Sequence, residues 1–271
     1  MKPKPFHTCD RFAIQSAERP SGFRMQNLHS HITYELYFLE KGQHNCIIGN
    51  NLYQISAQDV VLFRPNVLHK SHDTKGHTRT CVYFTDEFLH EYYTDKALNN
   101  LLHCFEKDII TLDNETYHKI QKLLSKIKKE DLADSSNQIF MYCGEILRIL
   151  TKHMNDPRKE PSFQSSEKLT PIFSYIADNY KDINGLDEIA ARFYISTSYL
   201  CRVFKKHTGM TISHYINQIK IQHACELLAN TDKTTTAIAY ECGFNSSMYF
   251  CKTFKEQMGC SPSEFRNSTT E

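Results

Sequence analysis

The chain has 271 residues and a formal net charge of +1, with 40% hydrophobic and 23% charged residues. This composition is typical of a globular protein of about two domains, and it excludes a disordered or collagen-like chain. No apolar stretch approaches the roughly 20 residues of a membrane-spanning helix, and the first residues lack the apolar core of a secretory signal. The sequence therefore predicts a cytoplasmic protein with no membrane partner.

The ten cysteines are too widely spaced for a zinc module. No two of them are separated by two residues, so the Cys-x-x-Cys signature is missing. In a reducing compartment, most of them are expected to be small buried hydrophobes.

Short strands separated by turns are predicted between residues 28 and 84. Leu28–Leu39 is predicted as one strand, which puts its residues of odd number on one face and those of even number on the other. Glycine and asparagine at residues 49–51 predict a hairpin turn. Pro65 must either end the strand that begins at Asp59 or lie on a sheet edge. A further strand is predicted at Thr80–Phe84. Short strands at this spacing indicate a sandwich or a small barrel.

Helical periodicity replaces the strand pattern between residues 86 and 154. Helices are predicted at Thr116–Lys129 and Gln138–Thr151, with apolar stripes too long for helices that lie free on a surface. The two stripes predict a homodimer in which the helices pair across a two-fold axis. The alternative is that both helices pack only on their own barrel. A polar, proline-containing linker follows near residues 155–166.

The last hundred residues contain an internal repeat. Residues 198–205 match residues 248–255, and each copy has the pattern of a helix, a turn and a second helix. Ser196 and Ser246 are the expected N-caps of the second helices, and Gly243 is suited to a positive φ in the second turn. The repeat therefore predicts two helix-turn-helix units.

Two further helices complete this region in the sequence. Residues 211–230 carry the apolar stripe of a long helix that joins the two units. Ser261–Glu264 has the capping-box pattern with proline at the first helical position, so a last short helix is expected there. Two units tied by one helix can present their recognition helices to successive major-groove segments, about 34 Å apart on B-DNA.

This pattern resembles the AraC/XylS family of bacterial transcription regulators over about 100 contiguous residues. The resemblance is carried by Ile189-Ala190, Tyr199-Leu200, Arg202, Phe204-Lys205, Gly209, Thr211, Ala224, Leu227-Leu228, Ile238-Ala239, Gly243-Phe244, Tyr249-Phe250, Phe254-Lys255 and Gly259-x-Ser261-Pro262. Two positions depart from the family pattern: Thr235 replaces a large aliphatic residue, and Lys252 replaces an arginine.

The resemblance implies an α+β protein of two domains, with an N-terminal cupin-like β-barrel and helical arm followed by an all-α domain. The expected division is residues 1–85 for the effector-binding barrel, 86–154 for the helical dimerisation region and 166–271 for the DNA-binding domain. It implies a transcriptional activator that binds double-stranded promoter DNA and RNA polymerase. A small-molecule effector, such as a sugar, would control it, with no cofactor and no enzymatic activity.

Helix geometry assigns the residues that would face DNA. With Leu200, Val203 and Phe204 turned inward, the outward positions of both recognition helices are Ser198, Cys201, Arg202, Lys205, Ser247, Met248, Cys251, Lys252 and Lys255. Residues 166–271 carry as many acidic as basic side chains, so the region lacks the net positive charge that is usual in DNA-binding domains. However, residues 191–225 contain no acidic residue, so the first recognition helix has a locally basic environment.

Histidines in the N-terminal region resemble the two cupin motifs. The first motif is matched by Gly22, His29, His31, Glu35 and Gly42, and the second by Asp59, Pro65 and His69. The predicted effector-binding residues are His29, His31, Glu35, Tyr37 and His69, which would supply hydrogen bonds to a small ligand. A purely structural role for His29 and His69 stays open. So does a metal held by His29, His31, Glu35 and His69, since imidazoles and a carboxylate suit Fe, Mn or Zn.

Two other functions compete with the regulator hypothesis. One is a metal-dependent enzyme of the cupin class, which the histidines would support. The other is a thiol-based redox sensor, because Cys201 and Cys251 occupy matching positions beside Arg202 and Lys252, in a setting that favours thiolate. The plain alternative is that cysteine is a small residue tolerated next to DNA, since no resolving partner is evident in the sequence.

Overall fold

The structure is a computed structural model that describes residues 11–21, 28–49, 51–72, 76–130, 136–155, 169–183 and 185–269. Its strands all lie in the N-terminal part: β1 (Phe12–Arg19), β2 (Tyr34–Lys41), β3 (Gln43–Ile48), β4 (Asn51–Ser56), β5 (Asp59–Phe63), β6 (His69–His72), β7 (His77–Phe84) and β8 (Ile109–Thr111). Gly22, from the first cupin motif, lies outside the described residues.

The helices follow in two groups, one before and one after residues 156–168. The first group is α1 (Asp86–His90), α2 (Asp95–Leu102), a 3-10 turn (His103–Glu106), α3 (Asn114–Ile127) and α4 (Ser136–His153). The second group is α5 (Thr170–Asn179), α6 (Leu186–Arg192), α7 (Thr197–Thr208), α8 (Ile212–Asn230), α9 (Thr235–Glu241), α10 (Ser247–Met258) and α11 (Pro262–Thr269). No helix in the described ranges is long and apolar enough to cross a membrane.

Two antiparallel sheets face each other in the N-terminal domain. One has the strand order β1-β7-β2-β5-β8 and the other β4-β3-β6. Side chains alternate along β2, so Leu36 and Phe38 point to the helices outside while Tyr37 and Leu39 point between the sheets. The hairpin predicted at residues 49–51 joins β3 to β4, with Ile48 opposite Asn51. The predicted α+β architecture is confirmed.

The predicted strand Leu28–Leu39 is wrong in its first half. Regular pairing begins only at Tyr34, and the preceding residues make a single bridge in which His29 pairs with His69. Three strands that the pattern did not predict also belong to the sheets: β1, β6 and β8. The last of these lies in a region predicted as helical, and it pairs with β5 at the edge of the larger sheet.

The helices α3 and α4 pack on the outer face of the five-stranded sheet. Ile120, Leu124, Ile146 and Leu150 are all buried in the cluster that also contains Leu36 of β2. The argument that these stripes need a second subunit to cover them is therefore wrong, because the chain's own sheet covers them. The alternative considered from the sequence, packing on the barrel alone, accounts for both stripes.

The C-terminal domain has two apolar cores, one for each repeat. The first surrounds Phe173, Phe204 and Tyr215, and it also includes Ile47 and Leu52 from the smaller sheet of the barrel. The second surrounds Phe250 and Phe254, and the described residues that form it all lie in α8 or later elements. The first unit is therefore docked on the barrel, whereas the apolar core of the second unit contains no barrel residue among those that the structure describes.

Candidate functional site

The first recognition helix is α7, and its ends are fixed by the residues that the sequence singles out. The Ser196 hydroxyl accepts a hydrogen bond from the backbone N–H of Tyr199, which caps the helix at its start. Gly209 ends it in the left-handed conformation, with φ of 70°. Leu200 and Phe204 are fully buried, so the opposite face of α7 is turned outward.

The outward face of α7 carries the residues predicted to contact DNA. Ser198, Arg202 and Lys205 are exposed, and Cys201 is half-buried beside them. The guanidinium of Arg202 lies 5.7 Å from the centre of the Tyr199 ring. This cation–π contact orients the side chain without neutralising its charge. Arg202 is thus free to donate two hydrogen bonds to an acceptor such as guanine.

The second recognition helix, α10, repeats this arrangement. Ser246 caps it by accepting a hydrogen bond from the N–H of Tyr249. Phe250 and Phe254 are buried, and the predicted DNA-facing residues lie on the other side: Met248, Lys252 and Lys255 are exposed, while Ser247 and Cys251 are half-buried. The Nζ of Lys252 is 3.9 Å from a carboxylate oxygen of Glu256. The structure brings each predicted set together on one helix face, and their contact with DNA stays a prediction.

The turn of the second unit requires glycine, as the sequence predicts. Gly243 has φ of +81°, and a Cβ built there would lie 2.5 Å from the carbonyl oxygen of Lys181. Any side chain would therefore push α9 and α10 away from the end of α5. The predicted capping box also forms, because the N–H of Ser261 donates to Glu264 and the N–H of Glu264 donates to the Ser261 hydroxyl.

A polar cavity of about 250 Å³ opens between the two sheets of the barrel. Four of the predicted effector residues line it: His29, Glu35, Tyr37 and His69. The fifth, His31, lies next to it, with its Nε2 3.0 Å from Oε2 of Glu35. The sequence analysis did not identify six further lining residues: Gln15, Arg19, Phe63, Ser71, Arg79 and Tyr83. Of these, Gln15, Arg19 and Ser71 come from strands that were not predicted.

Glu35 is the buried charge at the base of this cavity. Burial raises the pKa of its carboxyl group, but the hydrogen bond with His31 and the charge of Arg79, 3.7 Å away, outweigh burial and lower the pKa to about 2. Burial lowers the pKa of His69 to about 3, so this imidazole is neutral at pH 7. The cavity therefore holds a fixed carboxylate, with the neutral imidazole of His69 and the guanidinium of Arg79 beside it.

The barrel also caps the end of the first recognition helix. The side-chain amide of Asn45 in β3 donates to the backbone carbonyl of His207, over 3.1 Å. The Nε2–H of His72 in β6 donates to the carbonyl of Lys206, over 3.2 Å. These carbonyls are among the last four of α7, which have no partner within the helix. Since β6 carries His69 at one end and His72 at the other, one short strand touches both the cavity and α7.

Comparisons with known proteins agree with this geometry. The family model described as an AraC-like ligand binding domain matches residues 16–140, and that of a helix-turn-helix domain matches residues 189–268. The HTH-type transcriptional activator RhaS of Escherichia fergusonii is 24% identical over 244 residues, which cover 88% of this chain and 86% of that protein. The uncharacterized HTH-type transcriptional regulator YfiF of Bacillus subtilis is 27% identical over 252 residues, 89% of this chain and 78% of that protein.

Among solved structures, ToxT from Vibrio cholerae is similar to this chain, with 19% sequence identity and a TM-score of 0.38 over 96% of this chain and 98% of that one.

A ligand-binding barrel joined to two helix-turn-helix units defines a DNA-binding transcription regulator that is controlled by a small molecule. The chain belongs to the AraC family of such regulators.

Proposed function

We propose that this regulator is a cytoplasmic activator that binds promoter DNA through α7 and α10, contacts RNA polymerase and has no enzymatic activity. The proposed functional regions are residues 1–85 for effector binding, 86–154 for the helical cover of the barrel and 166–271 for DNA binding. The relative RhaS is a transcriptional activator, and this similarity favours activation over repression for this chain. The observation that carries the DNA-binding part is that both recognition helices turn equivalent polar and basic residues outward.

We infer that the effector is a small polar molecule such as a sugar. The cavity has a volume of about 250 Å³, so it has room for one small molecule. Gln15, Ser71 and Tyr83 offer hydrogen-bonding groups, and Arg79 and Glu35 offer charges of both signs. A ring bearing several hydroxyl groups can both donate to a carboxylate and accept from a guanidinium, so it matches this mixed lining.

The proposed route of control runs through β6 and its neighbour β3. An effector that contacts His69 at one end of β6 would shift the other end, where His72 caps α7. The effector would then favour one position of the first helix-turn-helix unit relative to the barrel, which requires that it bind the two positions with different affinity. The side chain of Gln218 on α8 adds to this contact by donating to the carbonyl of Leu28, over 3.3 Å.

Gly209→Ala tests this route, with Gly259→Ala as its matched control. Both glycines end a recognition helix with a positive φ, so alanine should destabilise either site by about 1–2 kcal/mol. A Cβ at Gly209 would lie 2.6 Å from the ring of His72, whereas nothing lies within 4 Å of a Cβ at Gly259. We expect only Gly209→Ala to speed hydrogen exchange of the β6 amides and to abolish the response of a reporter promoter to inducer. Equal exchange in the two variants would contradict a docked first unit.

The homodimer remains part of the proposal, but its contact must use another surface than the apolar stripes. The outer face of α4 offers one, since Met141 is 58% exposed there. Sedimentation equilibrium of the full chain should show a dimer at micromolar concentration, and Met141→Lys should shift it toward monomer. A monomer at all concentrations, with and without DNA, would contradict the proposed homodimer.

A thiol-sensing regulator is the second candidate, and it depends on Cys201 and Cys251, which are partly accessible, as Cys225 and Cys260 also are. Cys201 and Cys251 are half-buried on the outward faces of α7 and α10, whereas Cys104 and Cys143 are buried and burial raises the pKa of each thiol to about 12. A Cys201→Ser, Cys251→Ser double variant that keeps its response to peroxide in a promoter assay would exclude this function.

A further inference from the structure

The turn of the first helix-turn-helix unit holds a tyrosine in a conformation that tyrosine rarely adopts. Tyr194 has φ of 55°, in the left-handed region that disfavours residues with a bulky side chain. The other described non-glycine residues with positive φ are Gln58 and Asn66, which lie in turns of the barrel. Tyr194 is the aromatic member of this set, and it is 97% exposed. Its ring therefore extends into solvent from a strained backbone.

The second unit has glycine at the same place in its turn. Gly243 corresponds to Tyr194 at the offset of 49 that relates Ile189 to Ile238. Its φ of +81° is one that glycine adopts without strain, and a Cβ there would lie 2.5 Å from the carbonyl oxygen of Lys181. The end of α5 thus covers the second turn. The first turn has a similar backbone geometry, but it carries an exposed ring where the second carries a packed glycine.

Contacts on both sides of Tyr194 hold the first turn in place. The ring of Phe193 packs edge-on against that of Tyr175 on α5, with centroids 5.7 Å apart and an angle of 83° between the rings. The N–H of Ile195 donates to the carbonyl of Ala190, over 3.0 Å. Among the described residues, the apolar core of this unit includes Phe193 and Ile195 but not Tyr194. Strain that a fixed surrounding maintains, at a residue outside the core, is typical of functional positions.

The docking geometry of a helix-turn-helix puts this turn next to the DNA backbone. The first helix of such a unit crosses the sugar–phosphate backbone, and the recognition helix enters the major groove with its N-terminal residues. The turn between α6 and α7 therefore lies at the edge of the groove. The surface there suits an anion, because residues 191–225 contain no acidic side chain. Arg192 and Arg202, which precede and follow Tyr194 in the sequence, are both exposed.

We propose that Tyr194 binds a phosphate group of the DNA backbone at the edge of the groove that α7 enters, with its hydroxyl donating to a phosphate oxygen. Tyrosine hydroxyls are among the groups that contact phosphates, and such contacts fix the register of a protein on the duplex without carrying sequence information. Tyr194 is thus a positioning residue for α7. The inference rests on the proposed binding of DNA through α7. It also accounts for the strain, because a glycine at this place would have no hydroxyl to donate.

Tyr194→Phe tests the proposal, because it removes only the hydroxyl and keeps the ring. It should weaken binding to a selected operator and to random duplexes alike, by roughly 2- to 12-fold, as the loss of one hydrogen bond does. The dependence of binding on salt should stay unchanged, since a neutral hydroxyl displaces no counterion, whereas Lys205→Ala should lower it. Tyr142→Phe is the matched control, because this hydroxyl bonds to Gln138 on its own helix α4. The control should bind as the unchanged protein does.

Tyr194→Gly separates DNA binding from stability. Glycine relieves the strain, so the midpoint of thermal unfolding should not fall, whereas DNA binding should weaken at least as much as in Tyr194→Phe. A lower midpoint would show that the ring stabilises the fold, and it would overturn the proposal. Unchanged DNA binding in both variants, or a loss confined to the operator, would overturn it too.

Transcription from a saturated promoter distinguishes the other partner that an exposed tyrosine could contact. Lost transcription with unchanged DNA binding in Tyr194→Phe would assign the residue to RNA polymerase and contradict the proposal. The unchanged protein keeps these results separate from the proposed function. If it binds no duplex DNA, the proposed function itself is wrong, whereas equal binding by the unchanged protein and both Tyr194 variants refutes only the phosphate contact.

Discussion

Arg202→Ala is expected to weaken operator binding by about 1–3 kcal/mol, which is roughly 5- to 150-fold, and to relax the preference at one base pair. The reason is the position of Arg202 on the exposed face of α7, where its guanidinium is oriented by the Tyr199 ring. A bidentate pair with guanine carries sequence information, so its loss should affect the specific site more than random DNA. Competition binding against operator and random duplexes measures both effects.

Two further variants separate the reading of bases from the attraction of phosphates. Lys205→Ala removes an exposed charge one turn further along α7, and it should weaken all sequences alike while lowering the salt slope by about 1. Arg148→Ala is the control, because it removes an exposed arginine on α4 that pairs with Glu145. If Arg202→Ala leaves affinity and preference unchanged, α7 does not read the groove as we describe.

Phe254→Ala is expected to lower the stability of the second helix-turn-helix unit by about 3–5 kcal/mol, as large-to-small changes in a core do. Phe254 is fully buried, and its ring lies 5.6 Å from the rings of both Phe250 and Phe265. Among the residues that the structure describes, its apolar cluster contains none from the barrel. Hydrogen exchange should therefore show lost protection in α9 to α11 and unchanged protection in the barrel strands.

Phe254→Leu is the control for this experiment, because it keeps most of the apolar volume and should cost under about 1.5 kcal/mol. Phe204→Ala, at the matching position of the first repeat, removes a ring from the cluster that includes Ile47 and Leu52 of the barrel. It should therefore expose amides of β3 and β4 as well as those of α7. Uniform loss of protection along the whole chain in Phe254→Ala would contradict two separate cores.

The helical domain was predictable because its signals are local in the sequence. The caps at Ser196 and Ser246, the glycine turn at Gly243 and the capping box at Ser261 each act within a few residues. The helix-turn-helix pattern also occurs twice in the sequence, so each copy supports the assignment of the other. Each of these predictions is confirmed, since the backbone geometry that they require depends little on the rest of the fold.

The barrel was less predictable, because its strands are selected by partners far away in the sequence. β1 pairs with β7, so that Phe12 lies opposite Phe84. β6 has no apolar residue, yet His69, Lys70 and His72 are buried in it. The alternation of side chains along a strand shows which residues share a face of the sheet, but it does not show what that face packs against. For that reason Arg79 and Arg19 were missed as cavity residues, although Glu35 and His69 were found.

The apolar stripes of α3 and α4 also show that a sequence pattern can identify buried residues without identifying what buries them. Periodicity established that Ile120 and Leu147 are covered, and both are buried. It could not establish whether a second subunit or the chain's own sheet covers them. Only the packing of the helices on β2 and its neighbours answers that question.

Selection of binding sites from random DNA by the full-length protein, repeated with Arg202→Ala and Lys252→Ala, tests the central claim most directly. The account predicts two preferred segments whose centres lie one helical turn apart, about 10–10.5 base pairs. Arg202→Ala should relax the preference in one segment and Lys252→Ala in the other, because the two residues occupy matching positions on α7 and α10. A single preferred segment, or a change in the same segment for both variants, would contradict a protein that reads DNA with two recognition helices.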